Sequence, residues 1–291
     1  MNIDTGFIEV PGGKVWYRIA GGDSSSTPLL VLHGGPGSVH DPLTALDAIT
    51  ADRPVIYYDQ LGSGKSDRPS EPELWNLDRF IEELDCVITA LGFTQVHLLG
   101  HSWGTMLAAA YLLERKPDAV QSIIFSSPCL SAKLWKSDAG RLLKKLPDEI
   151  TNTLAHCEEN GTTESEEYKK AMKAYYQEFV CRISPWPAVL KKSSKGSNNE
   201  VYTSMWGSSE FSPTGTLKHF DVTSKLHEIG IPALFTCGRY DEATPESTAY
   251  YHTLVEGSQF HVFEKSAHMP YLEENEEYLR AVKEFLKYVE K

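Results

Sequence analysis

Apolar residues in this chain gather in short dense runs that alternate with stretches of helical period. The first two runs, Phe7–Val10 and Lys14–Ile19, flank the turn Pro11-Gly12-Gly13 and predict two strands. A polar, Ser-rich link, Asp23–Thr27, leads to the apolar run Pro28–Leu32. Val55–Tyr58, Val96–Leu99 and Val120–Phe125 follow as further strand-length runs. Between them, Leu77–Leu91 places Phe80, Ile81, Leu84, Val87 and Ile88 on one helical face, and Trp103–Arg115 is a second, Ala-rich helix. Such alternation implies a parallel sheet covered on both faces.

Beyond Ser127 the rhythm changes. Residues 130–215 hold charge-rich, helix-like stretches such as Glu164–Cys181 and no buried strand. The alternation then returns, with Ile231–Cys237 and Gln259–Phe263 as strands and Glu274–Val289 as a closing helix. The expected organisation is a split α/β core, residues 1–127 and 221–291, with a helical cap inserted at 128–220.

Charge narrows the partners. Forty acidic residues against 28 basic ones give a net charge of -12, which argues against a nucleic-acid partner, because phosphate binding rests on clustered Lys and Arg. The bulk of that charge reads as a solvated acidic surface. No run approaches the ~20 apolar residues of a membrane span, and the N-terminus lacks the basic start and apolar stretch of a signal peptide. Five cysteines without CxxC spacing read as reduced thiols of a cytoplasmic protein. No His or Cys pair has metal-ligand spacing. Gly62-Ser63-Gly64-Lys65-Ser66 lacks the leading frame of a phosphate loop, so neither metal nor cofactor is expected.

The chemistry enters at Gly100-His101-Ser102-Trp103-Gly104. It follows the run Val96–Leu99 and opens a helix, the strand–turn–helix setting of a nucleophile elbow in an α/β-hydrolase fold. The turn is strained, so both flanking glycines are needed for the backbone to close. A serine nucleophile needs a base, and the base needs a group that holds its tautomer. In this fold the order is Ser, acid, His. Asp241 follows strand Ile231–Cys237 and His268 follows strand Gln259–Phe263, so both emerge at the sheet edge that carries Ser102. Among the rivals, His252 falls in a helix, His261 falls within a strand, and Glu242 would have to replace Asp241. His33 and His101 precede the acid and suit loop support.

Acyl transfer also needs N–H donors for a developing oxyanion, each worth about 2.7–4 kcal/mol. One is the N–H of Trp103, the residue after the nucleophile. The other belongs to His33-Gly34-Gly35-Pro36-Gly37, where Gly35 is the first candidate and Gly34 the second.

These strings together resemble the proline iminopeptidases, aminopeptidases of the α/β-hydrolase superfamily. The likeness rests on HGGPG (33–37), YDQLGSGKS (58–66), GHSWGTMLA (100–108), GRYDEATP (238–245) and SAHMPYLEE (266–274). It implies a helical cap, no cofactor, and removal of an N-terminal residue, typically proline, from a short peptide with a free amine. The resemblance further implies that Glu242 and Glu210 bind the substrate's α-ammonium. Trp135, Trp186, Trp206 and Phe211 are aromatic residues available to the first-residue pocket. One departure stands out: many members carry Arg where this chain has Leu61, which leaves the substrate preference open. An amino acid amidase or carboxylesterase with the same triad, or a ligand-binding protein without turnover, are the alternatives.

Overall fold

The computed structural model describes residues 2–22 and 25–291, so Met1 and the first two residues of the link Asp23–Thr27 lie outside the described residues. Eight strands among the described residues form a single sheet in the order β1-β2-β4-β3-β5-β6-β7-β8. The hairpin of β1 (Ile3–Val10) and β2 (Gly13–Ala20) packs antiparallel against β4 (Val55–Asp59). From there onward every pairing is parallel, through β3 (Leu29–Leu32), β5 (Val96–His101), β6 (Val120–Ser126), β7 (Ala233–Gly238) and β8 (Gln259–Phe263). Strands β3, β4, β5 and β7 are buried at every position, as a sheet covered on both faces requires.

Several elements run past their expected ends. Strand β1 begins at Ile3 rather than Phe7, because ladder pairing with β2 carries it through exposed residues. Strands β5 and β6 extend to His101 and Ser126, where they still pair with each other. A 3-10 helix, Asp41–Ile49, was not foreseen; it starts with Pro42 in its first turn and buries Leu43, Leu46 and Ile49 against the sheet.

The helices on the core follow their apolar stripes. Helix α1 (Leu77–Leu91) is capped by the Asn76 side chain, which accepts from the Arg79 N–H at 3.0 Å, and it ends at Gly92 in the left-handed region. Helix α2 (Trp103–Arg115) buries its first ten residues against β5 and β3.

The long connection from β6 to β7 carries five α-helices, α3 (Ala132–Leu143), α4 (Asp148–Asn160), α5 (Glu166–Phe179), α6 (Ala188–Gly196) and α7 (Asn199–Met205), and then a 3-10 helix, Thr223–Glu228. No strand is assigned among the described residues of this connection. Helix α5 starts later than the periodicity suggests because the Ser165 hydroxyl caps it, accepting from the Tyr168 N–H at 3.2 Å. Its buried residues Tyr168, Ala171, Met172, Tyr175 and Phe179 form a separate apolar cluster with α3 and α4. The insertion leaves and returns through one short antiparallel contact: Ala132 N–H donates to Phe220 O at 2.8 Å and Val222 N–H to Leu130 O at 3.1 Å. The chain closes with α8 (Pro245–Thr253), the single turn α9 (Pro270–Glu273) and α10 (Asn275–Val289).

Candidate active site

Ser102 sits between β5 and α2 with φ 54° and ψ -120°, a strained backbone for a non-glycine residue. The glycines around it are obligatory. A Cβ on Gly100 would overlap the Gly104 carbonyl, and a Cβ on Gly104 would overlap the Leu32 carbonyl on β3. The Ser102 N–H donates to Ser126 O at 3.1 Å, which ties the elbow to the end of β6.

His268 lies on the loop after β8, and its Nδ1 is 2.7 Å from Asp241 Oδ1. Asp241 receives three further donors. The Ser127 hydroxyl and Gly238 N–H reach Oδ2 at 2.6 and 3.2 Å, and the Ala243 N–H reaches Oδ1 at 2.7 Å. Four donors hold this carboxylate in one orientation. Ser127 gave no signal in the sequence; it is one hydroxyl at a strand end, and only the β6–β7 register brings it to the acid.

The loop after β3 lies against Ser102: a Cβ on Gly34 would come within 3.2 Å of Ser102 Cβ. Gly35 has φ +111° and has no room for a side chain beside the Ser38 N–H. His33 fixes this loop. Its Nε2 accepts the Gln60 N–H at 3.0 Å, so its Nδ1 carries the proton and donates to Gly34 O at 2.8 Å. The carbonyl and N–H of a trans peptide point in opposite directions, so the Gly35 N–H is turned away from His33. Burial pushes the His33 imidazole down to about 4, which keeps it neutral for this task. Gln60 then links loop to elbow, since its Oε1 accepts from Trp103 Nε1 at 2.8 Å. Asp59, one residue earlier, holds His40 Nδ1 at 2.7 Å and the Lys65 N–H at 3.0 Å. Leu61 is wholly buried in the core and its N–H donates to Glu83 at 3.2 Å, so an apolar residue suits this position.

One cavity of about 330 Å³ gathers the predicted residues Ser102, His268, Gly34, Gly35, Glu210 and Glu242. Trp103 lines a small adjoining recess with Met106, Cys129, Trp135 and Trp206, which Ser102 and Glu210 also border. Of the four aromatic residues considered from sequence, Trp186 faces the main cavity, Trp135 and Trp206 face the recess, and Phe211 packs in the insertion's own core. The rival histidines, His252 on α8 and His261 on β8, do not line the cavity, whereas Glu242 does.

Charge is concentrated at one wall. Burial pushes the Glu210 carboxyl up, more than the nearby Tyr202 hydroxyl and His268 pull it back. Burial and the adjacent Glu210 push Glu242 well above the carboxylate range. Glu242 Oε2 and the hydroxyls of Tyr175 and Tyr202 are buried without a hydrogen-bond partner among the described residues. Burial alone would lower His268, but the carboxylates of Asp241, Glu242 and Glu210 outweigh it and hold the imidazole up at about 9. Two adjacent carboxyl groups, one of them with a buried oxygen that lacks a partner, make a site for a cation that arrives with N–H donors.

A family model described as alpha/beta hydrolase fold matches residues 27–275. A proline iminopeptidase of Heyndrickxia coagulans is 55% identical, across 97% of this chain and 98% of its own. That of Clostridium botulinum is 39% identical, across 98% and 99% of the two chains. The crystal structure of proline iminopeptidase from Mycobacterium smegmatis superposes with a TM-score of 0.90 at 32% identity, covering 98% of each chain. No helix among the described residues is long and apolar enough to cross a membrane.

Proposed function

The chain belongs to the alpha/beta hydrolase fold family and, within it, to the proline iminopeptidases, and from this premise we propose that it is a serine aminopeptidase releasing N-terminal proline through the residues gathered in the cavity. Ser102 Oγ attacks the scissile carbonyl while His268 Nε2 takes its proton, and Asp241 holds the imidazole in the tautomer that permits this. The Gly35 and Trp103 N–H groups, with Gly34 next to them, stabilise the oxyanion of the tetrahedral intermediate. Collapse breaks the C–N bond. The leaving amine takes the proton from His268, and the prolyl group stays on Ser102 as an ester. Water, deprotonated by the same imidazole, then hydrolyses that ester and regenerates the serine.

The observation that carries this reading is the buried pair Glu210 and Glu242 beside the base, with an orphaned carboxylate oxygen. In this role the pair binds the α-ammonium of a short peptide or an amino acid amide, and a blocked amine leaves both carboxylates uncompensated. The helical segment 128–220 acts as the cap, since its Tyr176, Trp186 and Glu210 line the cavity. The five cysteines are all unpaired, the state that the reducing cytoplasm maintains.

The direct test is kcat/KM on prolyl-aminomethylcoumarin beside its N-acetylated form and the alanyl and leucyl analogues. Rapid turnover of the free prolyl substrate, lost on acetylation, supports the reading. Equal rates on free and blocked substrates overturn it.

A further inference from the structure

After His268 the chain makes the single turn α9, with the Glu273 N–H donating to Met269 O at 3.0 Å. This turn brings the Glu273 side chain back beneath the loop it has just left. Glu273 Oε2 accepts the Ala267 N–H at 2.9 Å and the Met269 N–H at 3.2 Å. The residues immediately before and after the base are thus held by one oxygen. The other oxygen, Oε1, accepts the Arg182 N–H at 2.7 Å. Arg182 belongs to the insertion, two residues after the stretch Tyr175–Val180 from which Tyr176 and Val180 line the cavity. The same stretch meets the acid loop as well, because the Glu242 N–H donates to Phe179 O at 3.2 Å.

We infer that Glu273 is a positioning residue with two separable arms: Oε2 sets the loop of His268, and Oε1 sets the insertion wall of the substrate cavity against that loop. The inference rests on the catalytic reading above, because the importance of the loop follows from His268 being the base. Burial pushes this carboxyl up while the three N–H donors pull it back, and an amide in the same place would present a donor where one of them needs an acceptor. Its neighbour Glu274 extends the clamp upstream: Oε2 accepts the Lys265 N–H at 2.8 Å and the Ser266 hydroxyl at 2.6 Å. Nothing about Glu273 touches Ser102 or the cavity, so it acts only through the groups it orients.

The two arms predict a split that a merely structural residue would not give. In Glu273→Gln the amide has one acceptor oxygen and one donor nitrogen. The oxygen satisfies the two N–H groups flanking His268, and the NH2 group then faces the Arg182 N–H, donor against donor. The expected result is a KM for prolyl-aminomethylcoumarin raised roughly tenfold, with kcat within about threefold of the parent enzyme. Hydrogen exchange followed by mass spectrometry should show lost protection at Arg182 and retained protection at 267–269. Glu273→Ala removes both arms, and kcat should fall on the order of a hundredfold as the base loop shifts, with protection lost at both sites.

A Gln variant with unchanged KM and full protection at Arg182 overturns the inference, as does one in which kcat falls as far as in the Ala variant. If Glu273→Ala does not fold, the Gln variant decides alone. Exchange reads amides rather than turnover, so a failure of the catalytic reading appears separately, as a parent enzyme that is inactive on the prolyl substrate.

Discussion

His268 Nε2 lies 3.8 Å from Oε1 of Glu242, so the nitrogen proposed to take a proton from serine is also the one nearest the carboxylate proposed to bind the amine. Base strength and substrate recognition therefore share one electrostatic unit. The carboxylates hold the imidazole up at about 9, and an ammonium paired with Glu242 would oppose that effect.

Glu242→Gln should show both consequences. Removing a negative charge that raises His268 lowers its pKa. The base is active when neutral, so the acid limb of the kcat/KM profile moves to lower pH. Loss of the ion pair should also lower kcat/KM for the prolyl substrate about 10- to 150-fold at the optimum. A pH titration of both enzymes on prolyl-aminomethylcoumarin measures the two effects together, and an unmoved acid limb counts against the coupling.

Ser102→Ala should abolish labelling by a fluorophosphonate probe and reduce kcat on the order of a millionfold. The fold should be unaffected, because the φ and ψ of the elbow are imposed by the glycines and the β5–β6 ladder rather than by the hydroxyl. Undiminished labelling would move the nucleophile elsewhere.

Ser127→Ala removes one of the four donors on Asp241 without altering the cavity lining. An oriented carboxylate with a missing hydrogen bond costs about 1–3 kcal/mol, expressed as a 5- to 150-fold drop in kcat with KM unchanged. A selective rise in KM would show that Ser127 acts on substrate binding instead.

Two glycine-to-alanine changes should have opposite signs. Gly104→Ala drives a methyl group into backbone of β3 and should destabilise by more than about 4 kcal/mol. Gly140 lies inside helix α3 with open space around its Cα, so Gly140→Ala should stabilise by about 0.5–1 kcal/mol. Thermal unfolding of both variants checks the pair.

The sequence was most informative where one local rule governs. The apolar runs located every strand of the sheet, and the elbow at Ser102 was visible because its steric demand falls on two neighbours in the same short string. Asp241 and His268 were legible because strand ends predict which edge a loop reaches. Strand lengths were less visible: the outward residues of β1 are held by hydrogen bonding to β2 and not by burial. The supporting groups were least visible. Ser127 meets Asp241 across 114 positions of chain, and Glu273 meets the Arg182 N–H across 91. Nothing in the local composition around a hydroxyl or carboxyl announces a partner that tertiary packing selects.

The short antiparallel contact of Leu130–Ala132 with Phe220–Val222 gives the insertion a neck whose two sides are hydrogen-bonded neighbours. The core therefore experiences a closed junction whatever lies beyond it, and lengthening a tethered segment alters the closure entropy only slowly, by about 0.6 kcal/mol per doubling. Evolution can accordingly treat the two parts as a tool and an interchangeable jaw. Exchange of the segment between Leu130 and Val222 keeps the strand ends that carry Ser102 and Asp241, while the loop 33–37 loses the Asn198 N–H that its Gly37 carbonyl accepts at 2.8 Å. The hydrogen bonds of Glu273 with Arg182, Gly37 with Asn198 and Glu242 with Phe179 constrain such exchange, because a replacement jaw must meet the core at the same points.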